Sequence, residues 1–296
     1  MKKYYCAIIL LFSALSLNAQ VNKIFSTNNY TAIDYNLLYP DGSSEARAAS
    51  SAQAIKQAYP NSTDGIYFIN VPTVGVKQVY CLMDNKYNGG GWMLAMKATR
   101  GTTFNFDANY WYTANTLNPN NVNRNDGDAK YDVFNYFAAK DLMALWPDIA
   151  NIGTESGSID NLTNWSWQEN NFNGGNRTAL INFFTQTPTA TTIQTKTGGS
   201  NANVGITFTG FNSSIFTTEW GYMFYGFNYT GPGGASAQKV RWGLSYNNEA
   251  DQNSNDASNG IGLSYNTFSA GDTYSFCCSG VFAGMNRSAR VEMYIR

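Results

Sequence analysis

The stretch that decides the fold class is GIYFINVPTVGVKQVYCLMDNKYNGGGWMLAMKATR, residues 65–100. It contains three runs rich in aromatic and β-branched residues, GIYFINV, KQVYCLM and WMLAMKATR, and such runs are typical of β-strands. Turn-forming residues separate the runs, and NGGG at residues 88–91 indicates a sharp turn between the last two. The stretch therefore predicts three consecutive strands joined by turns.

Helical patterns flank this stretch. The Ala-rich segment Ser43–Pro60 begins with serine and ends with proline, which predicts one helix. In AAKDLMALWPD, residues 138–148, helical spacing of Leu142, Leu145 and Trp146 predicts a second helix. Further strands are predicted at INFF, VGITFTG, WGYMFYGFNY, VRWGLSY and ARVEMYIR. Because helices and strands do not alternate as βαβ units, we expect an α+β fold with a mostly antiparallel β-sheet.

The first residues, MKKYYCAIILLFSALSLNAQ, have the pattern of a secretory signal peptide. Lys2 and Lys3 precede an apolar run that is too short to span a membrane, and Ala19 is a small residue before the expected cleavage point. We expect a signal peptide over residues 1–19, an N-terminal arm over 20–42 and one domain over 43–296. The mature protein is then expected to be secreted, or to lie at the cell surface or in the periplasm, without a membrane span.

Composition excludes several classes of function. The formal charge is −1 and the basic residues form no cluster, so we expect no nucleic-acid partner. The chain has no histidine, which excludes Ser-His-Asp catalysis and the usual zinc sites. Charged residues make up only 13% of the chain and aromatic residues 15%. This balance favours β structure with polar loops and aromatic recognition surfaces.

The segment NNEADQNSND, residues 247–256, places side-chain oxygens on alternate residues. Calcium takes six to eight oxygen ligands from carboxylates, amides, backbone carbonyls and water, and this pattern supplies the first two kinds. The alternative is an Asn-rich surface loop whose side chains cap turns. The candidate calcium ligands are Glu249, Asp251, Asn253, Asn255 and Asp256.

A second acidic cluster lies in NRNDGDAKYD, residues 123–132, where Asp126 and Asp128 flank Gly127. The sequence favours a plain turn at this glycine, with a second calcium site as the alternative.

Three cysteines follow the signal peptide, Cys81, Cys277 and Cys278. Export favours oxidation, but an odd number leaves one thiol over. The open possibilities are a vicinal disulfide between Cys277 and Cys278, a bridge from one of them to Cys81, or three buried thiols.

Several motifs together resemble one family. SSAQAIKQAYPNSTDGIYFIN, VYCLMD and GGGWMLAMK resemble the opening of fibrinogen-like C-terminal domains, the recognition domains of ficolins, tachylectins and intelectins. KYDVFNYFAAKDLMALWPD and the NNE at residues 247–249 are similar to the intelectin branch, and SARVEMYIR resembles the family's last strand. The resemblance spans Ser43–Arg296 in the family's order. It implies a twisted, mostly antiparallel sheet with a few short helices and long loops, and a calcium loop in which Glu249 and Asp251 are the matching acidic pair.

The chain departs from the family's pattern at its cysteines and at one ligand position. Cys81 matches one half of the family's first disulfide, but Ala52 stands where the other half belongs. Cys277 or Cys278 matches one half of the second disulfide, and no cysteine lies near residue 257. The histidine of intelectin glycan sites is absent.

The resemblance implies a calcium-stabilised, lectin-like recognition module for extracellular glycans or acetylated groups, with no catalytic residues. Its ligand pocket would contain Tyr265, Phe268, Tyr274 and Phe276, since aromatic rings near calcium pack against sugar faces. One alternative is a structural adhesion or fibre-tip subunit with a protein partner, including a homo-oligomer. A less favoured alternative is a glycoside hydrolase that uses Glu219 with Glu249 or Asp251 as its carboxylate pair.

Overall fold

A computed structural model describes residues 39–147, 166–185, 194–197, 222–230, 238–247, 255–274 and 286–296. These residues form an α+β fold that is mostly antiparallel sheet with a few short helices. The helices are α1 (Ala52–Ala58), α2 (Asp132–Tyr136) and α3 (Leu180–Phe184). The strands are β1 (Gly65–Val71), β2 (Gly75–Leu82), β3 (Trp92–Ala98), β4 (Ala129–Lys130), β5 (Leu142–Leu145), β6 (Ser166–Glu169), β7 (Gln194–Thr197), β8 (Tyr222–Tyr229), β9 (Val240–Asn247), β10 (Ala257–Leu263), β11 (Ala270–Tyr274), β12 (Arg287–Ser288) and β13 (Val291–Ile295).

The chain forms two compact units, residues 1–70 with 75–92, and residues 71–74 with 93–296. In the first unit, α1 begins where the Ser51 hydroxyl accepts a hydrogen bond from the Ala54 amide at 3.0 Å. The predicted helix over Ser43–Pro60 is therefore wrong in length, because the chain before Ser51 forms a 3₁₀ turn over Glu45–Arg47. Ile55 is the buried anchor of the short helix.

The three strands predicted over residues 65–100 are confirmed as β1, β2 and β3, and so is the turn at NGGG. Asn88 and the three glycines all have positive φ angles, a conformation that glycine adopts without a steric penalty. A Cβ atom on Gly90 would lie 2.4 Å from the Met83 carbonyl oxygen, so only glycine fits there. The turn ends at Trp92, whose indole N–H donates to the Tyr87 carbonyl at 2.7 Å.

In the described part of the second unit, one sheet has the order β3-β13-β5-β6, with β4 paired to β3. All of these pairs are antiparallel. The predicted helix over residues 138–148 is wrong, because Leu142–Leu145 form β5 between β13 and β6. All four residues of this strand are buried, which explains why their pattern did not distinguish a buried strand from an apolar helix face.

The other sheet has the order β12-β11-β10-β9-β8-β7, and each neighbouring pair is antiparallel. β8, β9 and β13 confirm predicted strands, whereas the predicted VGITFTG strand lies outside the described residues. A row of glycines, Gly226, Gly243, Gly260 and Gly271, crosses four neighbouring strands in register. A Cβ atom on Gly260 would lie 2.3 Å from the Trp242 carbonyl oxygen, so the strands approach closely along this row.

An aromatic core lies beside this second sheet. Phe227 and Trp242 stack with ring centroids 5.5 Å apart, and Phe183 packs edge-on against Phe227 at 4.8 Å. Phe183 and Phe184 belong to α3, so the prediction of a strand at INFF is wrong. Both phenylalanines are buried, and both pack against Phe227, while Phe184 also contacts Trp111.

Candidate functional site

The candidate calcium loop connects two paired strands. Tyr246 of β9 lies opposite Ala257 of β10, so residues 248–256 close a hairpin whose two ends are held together. Glu249, Asp251 and Asn253 lie outside the described residues, and their role as ligands stays a prediction. The structure describes Asn255 and Asp256, the last two residues of the loop, and places both in the protein interior.

Asn255 supplies an available oxygen at the base of this loop. The residue is only 1% exposed, and its amide nitrogen donates to the Ser245 hydroxyl at 2.8 Å and to the Tyr229 hydroxyl. Its Oδ1 atom is buried and has no hydrogen-bond partner among the described residues. A buried amide oxygen without a partner is unfavourable, and each such atom calls for an explanation.

The residues around Asn255 form a polar cluster across three strands. Ser245, Ser258 and Thr273 lie opposite one another in register, and the two serine hydroxyls are 2.9 Å apart. Gln238 completes the cluster, because its amide donates to the Asp256 carbonyl at 2.6 Å and accepts from the Thr273 hydroxyl at 2.6 Å. The end of the loop is therefore fixed by buried hydrogen bonds to β8 and β9 and, through Gln238, to β11.

The candidate ligand-binding aromatics differ in exposure. Tyr265 is 41% exposed on the 3₁₀ turn Tyr265–Thr267. Phe268 is half-buried and packs against the cluster of Tyr229, Val240 and Leu263, so the structure places it in packing. Tyr274 ends β11 with its side chain outside the description, and Phe276 lies outside the described residues.

The turn that carries Tyr265 is conformationally strained. Asn266 and Thr267 both have positive φ angles, 56° and 54°, and a β-branched residue such as threonine rarely adopts that region. The Asn266 amide donates to the Asn286 side chain at 2.7 Å, which ties the turn to the segment before β12. Strain of this kind is concentrated at functional sites, although it does not identify the function.

The second acidic cluster is engaged within the protein. Asp128 accepts hydrogen bonds from the Thr99 amide at 2.8 Å and from the Thr103 hydroxyl at 2.5 Å. Asp126 is exposed. In the described part of the chain, no group of three or more carboxylate or thiol residues is arranged to hold a metal ion.

The same loop surrounds an ammonium group. Lys97 Nζ lies within hydrogen-bonding distance of four oxygens, the carbonyl and side-chain oxygens of Asn123 and Asn125. Its distance to the Asn123 carbonyl oxygen is 2.8 Å. Burial lowers the pKa of Lys97 to about 8, and the Glu292 carboxylate partly opposes this shift. Glu292 lies opposite Lys97 in the β13–β3 pair. This loop therefore binds a cation of its own chain.

Glu292 is itself part of a buried ion network. Its carboxylate accepts from Arg124 at 2.8 Å, from Arg290 at 3.0 Å and from the Tyr294 hydroxyl at 2.8 Å. Removing one partner from such a network is strongly unfavourable, because it leaves a buried charge without compensation. The geometry gives Glu292 a structural role in fixing the loop over β3 and β13.

The Cys81 thiol is completely buried on β2 and forms no disulfide with any described residue. Burial, with a smaller contribution from Asp64, raises its pKa far above the usual thiol range. Cys277 and Cys278, its candidate partners, lie outside the described residues, so the disulfide alternatives stay open. Glu219 of the hydrolase alternative also lies outside them.

A cationic and aromatic surface at the start of β9 was not predicted from the sequence. Arg241 lies over the Phe106 ring with its guanidinium carbon 4.2 Å from the ring centroid, and Lys239 Nζ lies 5.7 Å from the same centroid. Burial lowers the pKa of Arg241 to about 10. The alternation in KVR, residues 239–241, indicates two cations on one side of a strand. Their aromatic partner was not predictable, because Phe106 is 135 residues away from Arg241 in sequence.

Comparison with protein-family models and with curated proteins finds no match for this chain. Among the described residues, no helix has the length and apolar character needed to cross a membrane.

Proposed function

We propose that this protein is an exported, calcium-stabilised recognition module of the fibrinogen-like type that binds extracellular glycans or acetylated surface groups. The observation that carries the proposal is the Asn255 Oδ1 atom, which is buried without a partner among the described residues at the base of the oxygen-rich hairpin loop. A cation bound in the loop would be coordinated by this oxygen, which would remove the penalty of burying it without a partner.

The residues present fit a calcium ion. Glu249 and Asp251 supply the charge, and Asn253 and Asn255 supply neutral amide oxygens, which together match the hard oxygen ligands that calcium prefers. Because β9 and β10 pair at the two ends of the loop, the entropy of closing the loop is lost on folding and not when an ion binds.

Tyr265 supports the recognition part of the proposal. Its ring is exposed on a strained turn, and the next residue, Asn266, is hydrogen-bonded through its side-chain amide to Asn286. An exposed ring packs against the C–H face of a pyranose, and amides bind its hydroxyl groups. The candidate calcium loop precedes β10 and this turn follows it, so the two lie at opposite ends of a seven-residue strand, about 20 Å apart along it. Calcium would therefore stabilise the domain, and Tyr265 would contact the glycan away from the ion.

The fibrinogen-like assignment is supported by the order of elements and by the motifs that the sequence shares with that family. A short helix precedes the strands that carry VYC and GGGW, and the C-terminal strand β13 lies inside a sheet between β3 and β5. The candidate calcium loop follows the strand VRWGLSY, as the resemblance implies.

The test is binding of the purified protein to a glycan array, in calcium and again in EDTA. We expect calcium-dependent binding to one class of glycan or acetylated ligand, and Tyr265→Ala should weaken it at least about tenfold, as loss of a stacking ring does. Tyr39→Ala is the matched control, because Tyr39 is also an exposed tyrosine, at 59%. An array without signal in calcium would contradict the proposal.

A second candidate function is a structural adhesion subunit that contacts proteins or further copies of itself. Ile66 on β1 and Val76 on β2 are exposed at 48% and 39% on neighbouring strands, and exposed apolar side chains on one sheet favour a protein contact. Analytical ultracentrifugation of wild type and Ile66→Ser tests this candidate. If the protein self-associates through these strands, the variant should sediment with a lower apparent molecular mass, and its glycan binding should stay unchanged.

A further inference from the structure

The start of β9 presents two cations to one aromatic ring. Lys239 and Arg241 are two residues apart, and both lie within cation–π distance of Phe106. Neither side chain forms an ion pair with a carboxylate among the described residues. Two positive charges therefore lie close together, although the chain as a whole has a net charge of −1.

Neutral acceptors hold the Arg241 guanidinium in a fixed orientation. Nε donates to the Phe106 carbonyl at 2.7 Å, and Nη1 donates to the Phe184 carbonyl at 3.2 Å and to Asn228 Oδ1 at 3.1 Å. Nη2 makes no hydrogen bond to any described residue. A guanidinium that is already oriented loses little conformational entropy when it binds an anion.

Two exposed tyrosines lie in segments that neighbour these cations. Against the larger lowering by burial, Asp107 and Tyr112 are close enough to Arg241 to raise its pKa, and Tyr112 is 47% exposed. The Lys239 amide donates to the Ser264 hydroxyl at 2.8 Å, and the Ser264 amide donates to the Lys239 carbonyl at 3.1 Å. Tyr265 follows Ser264 directly, so the exposed tyrosine of the candidate ligand site begins next to Lys239.

We propose that Lys239 and Arg241, with the rings of Tyr112 and Tyr265, form a metal-independent subsite for the carboxylate groups of an acidic polysaccharide. The two cations bind sugar carboxylates through charge-assisted hydrogen bonds, and the tyrosine rings pack against the sugar faces. The inference rests on the proposed function in one respect, that the ligand is a glycan, and it adds the chemical class of that glycan.

The arrangement is not explained by a structural role alone. Arg241 does connect the Phe106 segment, the end of α3 and β8 through its three hydrogen bonds. The Lys239 ammonium, in contrast, donates no hydrogen bond to a described residue and contacts the face of the Phe106 ring. Its charge adds repulsion beside Arg241 that the Phe106 ring offsets in part, and a ligand anion would supply a full countercharge.

The test measures binding of purified full-length protein to polygalacturonate in EDTA at 50 mM salt, with neutral galactan and polyglutamate as comparison polymers. We expect binding to polygalacturonate that weakens as salt screens the charges, and weaker binding to both comparison polymers. Lys239→Gln should weaken polygalacturonate binding about tenfold, as loss of one charge-assisted hydrogen bond does. Lys56→Gln is the matched control, since it removes the same charge from a half-buried lysine on α1.

Three results would overturn the inference. They are polygalacturonate binding that is equal in wild type and Lys239→Gln, polyglutamate binding as tight as that of polygalacturonate, and an absence of wild-type binding in EDTA. Because Lys239→Gln removes no hydrogen bond to a described residue, we expect it to fold, and a melting temperature equal to that of wild type checks this. Arg241→Lys is a second variant that should also weaken polygalacturonate binding, since lysine lacks the planar fork of N–H donors. Neutral or acetylated ligands bound only in calcium test the proposed function separately.

Discussion

At the scale of the single residue, Lys130 is a buried ammonium with few compensating contacts. The side chain is 0% exposed, donates to the Thr113 carbonyl at 2.7 Å and lies 4.7 Å from the centroid of the Phe134 ring. Burial lowers its pKa from 10.5 to about 7, with a smaller opposing effect from Asp132. The folded protein therefore binds fewer protons than the unfolded chain between pH 7 and 10.5, and Lys130 makes the free energy of unfolding rise with pH in this window.

We predict that Lys130→Met raises the free energy of unfolding by about 1–2 kcal/mol at pH 6, because it removes a buried charge while keeping the chain length of the side chain. The gain should shrink as pH rises above 7, since the wild-type amine then loses its proton in the folded state. Denaturant unfolding at pH 6, 7.5 and 9 measures both effects.

Lys130→Arg is the control for this prediction, because arginine stays charged at every pH of the series. It should destabilise the protein throughout, without convergence toward wild type at high pH. A gain for Lys130→Met that is equal at pH 6 and pH 9 would show that Lys130 is not a perturbed ammonium in the folded state.

Single residues also show which local features the sequence predicts well. The NGGG turn follows from glycine's access to positive φ, a property of the residue itself. The four oxygens around Lys97 cannot be predicted from single residues. Asn123 and Asn125 look like ordinary polar loop residues in the sequence, and the lysine that they surround belongs to a distant strand. The Asn255 environment is equally non-local, since Tyr229 and Ser245 come from two other strands.

At the scale of the element, the glycine row holds β8–β11 at close approach. Gly260 has a φ of +146°, and an added Cβ atom would lie 2.3 Å from the Trp242 carbonyl oxygen and 2.8 Å from the Gly243 Cα. Backbone atoms cannot move aside without breaking the ladder between β9 and β10. We predict that Gly260→Ala lowers the free energy of unfolding by about 3 kcal/mol or more, from backbone strain and overpacking together.

Gly174→Ala separates these two contributions. Gly174 also has a positive φ, +61°, but no atom lies within 4 Å of the position that an added Cβ would take, so only backbone strain of about 1 kcal/mol applies. Urea denaturation of the two variants gives the comparison. Equal losses of stability in both would mean that strand proximity at Gly260 has no energetic consequence.

Two elements show why residue patterns misassigned secondary structure. LMAL is apolar at every position, and a buried strand and a buried helix segment share that pattern, so only the pairing with β13 and β6 decides. Phe183 and Phe184 have high strand propensity, yet both reach the aromatic core from α3. In each case a tertiary contact outweighed local preference.

At the scale of the whole molecule, the order of the strands could not be read from the sequence. β13 is the last strand of the chain and lies between β3 and β5, so its neighbours come from segments about 150 to 200 residues earlier. The α+β class was predictable from local runs, because it depends on the kinds of element present. The cationic surface of Lys239 and Arg241 was not, because it requires Phe106 and Tyr112 to fold against β9.

The calcium proposal also belongs to the whole molecule, because a ligand that binds only the folded state stabilises all of it. The loop joins the central strands β9 and β10, and its end is bonded to three strands through Asn255 and Gln238. We predict that millimolar calcium raises the melting temperature, by an amount that grows with the logarithm of its concentration above the dissociation constant. Differential scanning calorimetry in calcium and in EDTA measures the shift.

Asp251→Ala should abolish the calcium-dependent rise, since it removes a charged candidate ligand, whereas Asp126→Ala should leave it intact. Asp126→Ala removes one negative charge, as Asp251→Ala does. Asp126, however, is exposed on the loop that surrounds the Lys97 ammonium, and not on the candidate calcium loop.

Asn255→Ala should lower stability in EDTA less than in calcium, because the buried Oδ1 contributes only when an ion is present for it to coordinate. Melting curves that coincide in calcium and EDTA, with no metal in the purified protein, would leave the Asn-rich loop as a simple connection between two strands.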